Sequence, residues 1–151
     1  MAAPVFTPLR RIPTSGGEVR HGLKASDPGF AGFGEAYFSS VDTGAVKGWK
    51  RHTGMTLNLV VVQGEVRFLV RDDQGAAWAF QLSPEREGAY GRLTVPPGLW
   101  MAFGGVGAAT NLLLNLASIE HDPGEAEARP LDALGWSWTE PADGAAQGRY
   151  A

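Results

Sequence analysis

The sequence predicts an all-β protein, a sandwich or barrel of short strands with little helix. Three observations carry that prediction. Apolar stripes with a 3.6-residue period are scarce, whereas short apolar runs are plentiful. Most runs are closed by Gly, Pro or Asp, and the 21 glycines and 10 prolines are scattered as turn punctuation rather than gathered into a low-complexity block. About nine such runs follow one another roughly every ten residues, the rhythm of a sandwich or barrel.

Taken in order, the expected strands are Glu18–Lys24, Gly34–Ser40, Ala45–His52, Met55–Val62, Glu65–Arg71, Ala77–Leu82, Arg92–Val95, Trp100–Phe103 and Asn111–Ser118. The fifth is the clearest: Val66, Phe68 and Val70 alternate with Arg67, Leu69 and Arg71, the period-2 pattern of a strand with one face inward. Gln63-Gly64 between two strong runs reads as a hairpin turn, and Asp72-Asp73-Gln74-Gly75 as another. Pro123–Leu134 fits either a short helix or an extended crossing arm. No internal repeat or interdomain linker is visible, so residues 1–151 read as one domain. Its ends, an N-terminal arm over 1–15 and a tail over 139–151, are rich in Ala, Gly and Pro and are expected to be loose unless a partner subunit orders them.

Bulk composition narrows the function classes. The chain has 151 residues, 44% of them hydrophobic and 19% charged, enough for a packed core and unlike a disordered chain. Net charge is −3 and basic residues cluster only at Lys47, Lys50 and Arg51, which argues against nucleic acid as a partner. Cysteine is absent, excluding disulfides, thiolate metal sites and cysteine nucleophiles. The N-terminus has no signal-like apolar region, and no stretch approaches the roughly 18 apolar residues of a membrane span. The expectation is a soluble cytoplasmic protein with no membrane partner.

The densest polar constellation is Lys47-Gly48-Trp49-Lys50-Arg51-His52. Strand alternation puts Lys50 and His52 on one face and Lys47, Trp49 and Arg51 on the other. A Lys and a His aimed into a barrel suit anion binding or proton transfer, because burying charge is costly unless it serves a ligand. An edge strand of solvated basic residues gives the same pattern. Asn58 and Asn115 each interrupt an apolar run, either to cross-link strands or to line a cavity. Glu35 and Tyr37 share a strand face and are a candidate base and acid, although a solvent-exposed Glu35 gives the same pattern. Glu120 and His121 close the Asn111–Ser118 strand, where a barrel mouth would lie, although Asp122-Pro123 reads as an ordinary turn. The three histidines, His21, His52 and His121, are far apart in sequence, which disfavours a metal site, and no dinucleotide fingerprint, phosphate loop or nucleophile elbow is present. No cofactor is expected.

These residues carry a resemblance. Gly17-x-Val19-x-x-Gly22, then Gly48-Trp49-Lys50, then Val60 to Val66, then Val95-Pro96-Pro97-Gly98 with Phe103, and finally Leu131 to Trp138 follow the order found in the dTDP-4-dehydrorhamnose 3,5-epimerase family. The likeness covers about residues 16–138. Phe33 to Ser39 together with Lys47 to His52 is similar to a divergent, epimerase-related subgroup. The resemblance implies a cupin-type double-stranded jelly-roll barrel and a homodimer that exchanges N-terminal strands. It also implies metal-free chemistry on a nucleotide-linked sugar. In that family a His assisted by an Asp removes a proton beside the C4 ketone, a Tyr returns one, and Arg and Lys hold the diphosphate and the enolate.

Here the family's His position holds Lys50, a later His position holds Met101, and the Tyr position holds Glu120-His121. The resemblance therefore implies His52 and Lys50 as the proton-transfer pair, His121 or Tyr37 as the returning acid, and Asp132 as the group orienting an imidazole. Arg51, Glu35, Asn58, Asn115, Trp49 and Glu120 are the candidate substrate contacts. The expected function is epimerisation or isomerisation of a nucleotide-diphosphate-linked 4-keto-deoxysugar. The alternative is a carbohydrate- or nucleotide-sugar-binding cupin that has lost the catalytic pair.

Overall fold

The computed structural model describes residues 2–139 and 147–150. Two antiparallel sheets face each other. The first runs β1 (Val5–Pro8), β9 (Gly91–Val95), β6 (Leu57–Gln63), β11 (Leu112–Ala117), β4 (Glu35–Ser40). The second runs β12 (Ala126–Ala128), β5 (Val46–His52), β10 (Trp100–Gly105), β7 (Val66–Arg71), β8 (Ala77–Leu82), β13 (Gln147–Tyr150). A hairpin of β2 (Arg11–Thr14) and β3 (Gly17–Arg20) stands apart. From β4 to β12 the chain crosses between the sheets at almost every connection, which makes this the expected jelly roll. Among the described residues there is no α-helix, and therefore none long and apolar enough to cross a membrane.

The strands pack as their alternation dictates. Val66, Phe68 and Val70 of β7 turn inward with Phe80 and Leu82 of β8, against Leu59, Val61, Leu93 and Leu113 of the opposite sheet. Gln63-Gly64 is a turn whose glycine has φ +79°, a conformation that side chains resist. The outward face of β7 is also covered: Leu69 joins Trp49, Ala79, Trp100 and Ala102 in a second apolar cluster, beneath Leu134 and Trp136. Buried Arg67 beside them donates from Nε to the Ser137 carbonyl at 2.9 Å.

The outer face of the first sheet carries residues 21–34 as a strap. Fully buried Arg92 donates from Nη1 to the Gly22 carbonyl at 2.6 Å and pairs with Asp27 at 3.3 Å.

Two segments differ from the sequence expectation, and a third takes one of the two forms it allowed. The N-terminal arm holds two strands, and β1 pairs with β9 of the same chain. Pro123–Leu134 is a crossing arm: a 3-10 turn over Pro123–Glu125, the strand β12 against β5, then a second 3-10 turn over Leu131–Ala133. Of the tail expected to be loose, residues 140–146 and 151 lie outside the described residues, while Gln147–Tyr150 pair with β8.

Candidate active site

One end of the barrel opens into a cavity of about 500 Å³ between β4 and β11 on one wall and β5 and β10 on the other. Its deeper lining is apolar: Met55, Leu57, Leu59, Met101, Phe103 and Leu113. Around that lining stand Glu35, Tyr37, Lys47, Lys50, His52, Asn115 and His121. Polar groups converging on an apolar cleft are the usual anatomy of a small-molecule site.

The β5 wall is shaped by a bulge. Lys50 lies opposite Met101 and Lys47 opposite Phe103, so two residues of β5, Gly48 and Trp49, face one of β10, Ala102. The extra residue resets the alternation, and Lys47 reaches the cavity lining with Lys50 and His52. Strict period-2 alternation, which places Lys47 with Trp49 and Arg51, fails here for that reason. Gly48 permits the close approach, since a Cβ there would lie 2.3 Å from the Ala102 Cβ.

His52 is held from behind. Its Nδ1 is hydrogen-bonded to Glu125 Oε1, and both side chains are mostly buried. The other carboxylate oxygen, Oε2, accepts from the Gly54 and Met55 backbone N–H groups at 3.1 and 3.2 Å. Burial opposes ionisation of Glu125, but the bonds from His52 and from the two backbone donors outweigh it and hold its pKa below the ordinary value. The carboxylate fixes the ring and leaves Nε2 as the nitrogen free for a ligand.

On the facing wall, alternation along β4 points Glu35 and Tyr37 inward. Glu35 Oε1 accepts from the His121 backbone N–H at 2.7 Å, which ties the end of β11 to β4. Asn115, directly across from Tyr37, donates from Nδ2 to the phenol oxygen at 2.9 Å.

Of the residues singled out from the sequence, the cavity thus gathers His52, Lys50, His121, Tyr37, Glu35 and Asn115. Trp49 borders it, but its indole packs in the outer cluster, with Nε1 donating to the Leu131 carbonyl at 3.0 Å. Four others stand elsewhere. Arg51 lies on the outer face, 4.6 Å over the Trp100 ring and paired with Asp73 at 2.8 Å and Glu127 at 3.0 Å. Asn58 turns to the strap, accepting from Thr94 Oγ1 at 2.6 Å and donating to the Gly29 carbonyl at 2.9 Å, so it cross-links structure. Glu120 is exposed and does not line the cavity. Asp132 is exposed in the turn that packs against β5 near Trp49, and Glu125 occupies the orienting position expected of it. Glu125 lies 73 residues from His52 in sequence, so no local spacing pairs them.

The fold has a close solved counterpart. A dTDP sugar isomerase from Desulfovibrio desulfuricans G20 is 34% identical over 89% of this chain and 90% of its own, with a TM-score of 0.82. The chain belongs to the dTDP-sugar isomerase family of epimerase-related cupins. Two more distant structures share the fold. They are a dTDP-4-dehydrorhamnose 3,5-epimerase from Elizabethkingia anophelis NUHP1 and a sugar 3,4-ketoisomerase from Thermoanaerobacterium thermosaccharolyticum in complex with TDP. The first is 14% identical over 91% of this chain and 82% of its own, TM-score 0.73. The second is 18% identical over 82% and 86%, TM-score 0.69. No protein-family model and no curated protein matches the sequence.

Proposed function

We propose that this member of the dTDP-sugar isomerase family isomerises or epimerises a 4-keto-deoxysugar carried on a nucleoside diphosphate. The observation that carries the reading is the His52–Glu125 dyad at the wall of an apolar-lined cavity, with Tyr37 on the wall opposite. A proton beside a ketone is only weakly acidic, so its removal needs an oriented base and a cation where the enolate oxygen gathers charge.

His52 Nε2 takes the proton, the C–H electron pair becomes the enolate, and the imidazolium that forms is stabilised by Glu125. Lys50, with Lys47 beside it, offsets the charge on the enolate oxygen or on the diphosphate. Tyr37, or His121 at the mouth, supplies a proton from the other side. A base and an acid on opposite walls suit a change of configuration or of carbonyl position. The apolar lining excludes water from the intermediate and strengthens each of these electrostatic contacts.

The same proposal includes a homodimer, favoured by exposed Phe38 on the edge strand β4 and exposed Phe33 just before it. A cytoplasmic setting fits a chain without cysteine. Light scattering on the purified protein checks the first. The function itself is tested by incubating the protein with dTDP-4-keto-6-deoxyglucose and following the sugar by NMR. A new isomer or epimer is expected. Saturable binding with no new sugar would instead make the protein a nucleotide-sugar-binding cupin.

A further inference from the structure

From the hydrogen bonds of Asn115 we infer that this residue is a positioning residue for the returning acid: it aims the Tyr37 hydroxyl proton into the cavity. The inference rests on the isomerase reading above.

Asn115 is 1% exposed, and both ends of its amide are engaged. The Asn58 backbone N–H reaches Asn115 Oδ1 at 3.2 Å. A backbone N–H can only donate, so that contact requires the amide oxygen and fixes the flip of the side chain. Asn58 in turn is locked by Thr94 and the Gly29 carbonyl, so the donor has little freedom to move. The NH2 of Asn115 is thereby forced toward Tyr37, 2.9 Å from the phenol oxygen.

A phenol has one proton. With Asn115 donating to its oxygen, Tyr37 cannot give its own proton back to that amide, and no acceptor for it stands among the described residues. The proton therefore points into the cavity, toward a ligand. When it leaves, negative charge builds on the phenol oxygen, and the Asn115 N–H···O bond strengthens at that moment. Tyr37 and Asn115 are direct cross-strand neighbours on β4 and β11, so two sheet strands hold the geometry rather than a loop.

Asn115→Asp tests this with almost no change in shape. A carboxylate still accepts from the Asn58 N–H, but toward Tyr37 it presents an acceptor and draws the phenol proton away from the cavity. The substrate is dTDP-4-keto-6-deoxyglucose in D2O at mildly alkaline pH. Two quantities are read together: loss of the proton beside the ketone, which needs only His52, and formation of the new sugar, which also needs the acid. Exchange should stay within about threefold of wild type while product formation falls by about tenfold or more, a general acid being worth roughly 10²–10⁴. Tyr37→Phe, at the half-exposed rim and without a buried change, should show the same split if the Asp variant folds poorly. Loss of exchange and product in parallel would overturn the inference, because a collapsed cavity does that. So would product formation within about threefold of wild type in both variants. If wild type neither exchanges nor converts the sugar, the isomerase reading itself fails and takes this inference with it.

Discussion

Replacing Glu125 by Gln keeps the size of the side chain and changes only what it offers His52. The backbone N–H groups of Gly54 and Met55 donate to Oε2, so the amide oxygen of the variant stays with them. Its NH2 then faces His52 Nδ1, where Oε1 stood. An NH2 can only donate, so Nδ1 must accept and the ring proton moves to Nε2. A protonated Nε2 cannot remove a proton from the sugar. Part of the population must adopt the other tautomer against this hydrogen bond, and the imidazolium also loses its counter-charge. A charge-assisted bond of this kind contributes about 1.5–3 kcal/mol. At about 1.4 kcal/mol per tenfold, kcat should fall roughly 10- to 150-fold. KM should change little, because Glu125 sits behind the imidazole rather than in the cavity lining. The assay is steady-state turnover of dTDP-4-keto-6-deoxyglucose, with a thermal melt to confirm folding. A kcat within about threefold of wild type, or a loss expressed wholly in KM, would refute the argument that Glu125 sets the tautomer of His52.

Three further outcomes follow from the same structure. Glu125 is held below its ordinary value of 4.5, so the folded state keeps it ionised to lower pH than the unfolded chain does; its contribution to stability is complete above about pH 4.5 and disappears as pH falls through the lower, folded value. The gap in unfolding free energy between wild type and Glu125→Gln should therefore narrow on acidification, as denaturant titrations at stepped pH will record, and a gap independent of pH would contradict it. Gly48→Ala would place a Cβ 2.3 Å from the Ala102 Cβ and 2.9 Å from its Cα, so overpacking of about 1–3 kcal/mol should lower the melting temperature and displace Lys47 and Lys50. Arg51→Ala should leave kcat/KM within about threefold of wild type, since the guanidinium lies on the outer face, and should cost about 1 kcal/mol of stability through its partly exposed ion pairs.

Much of this molecule was legible in its sequence wherever side-chain alternation governs. Val66, Phe68 and Val70 mark one face of β7 without any tertiary information, and the shared face of Glu35 and Tyr37 follows from the same rule, although only the facing wall shows that it turns inward. The edge strands Val5–Pro8 and Arg11–Thr14 were not legible, because each contains a proline and lasts only four residues, so pairing rather than propensity makes them strands. Lys47 was assigned to the wrong face because a bulge depends on the facing strand, where Met101 and Phe103 set the register. The family resemblance makes Arg51 a substrate contact, yet the alternation that turns His52 inward turns Arg51 out onto Trp100. Glu125 stayed hidden for a different reason. The crossing arm Pro123–Leu134 was recognised as a segment, but only its pairing with β5 brings a carboxylate against His52. The resemblance points instead to Asp132, which belongs to the turn beyond.

The most direct test of the account is the proton beside the sugar ketone. In D2O, with dTDP-4-keto-6-deoxyglucose, wild type should replace that proton with deuterium, and His52→Ala should abolish the exchange while still binding the nucleotide sugar. Exchange that continues undiminished in His52→Ala would contradict the assignment of the base, and with it the role given to the His52–Glu125 wall.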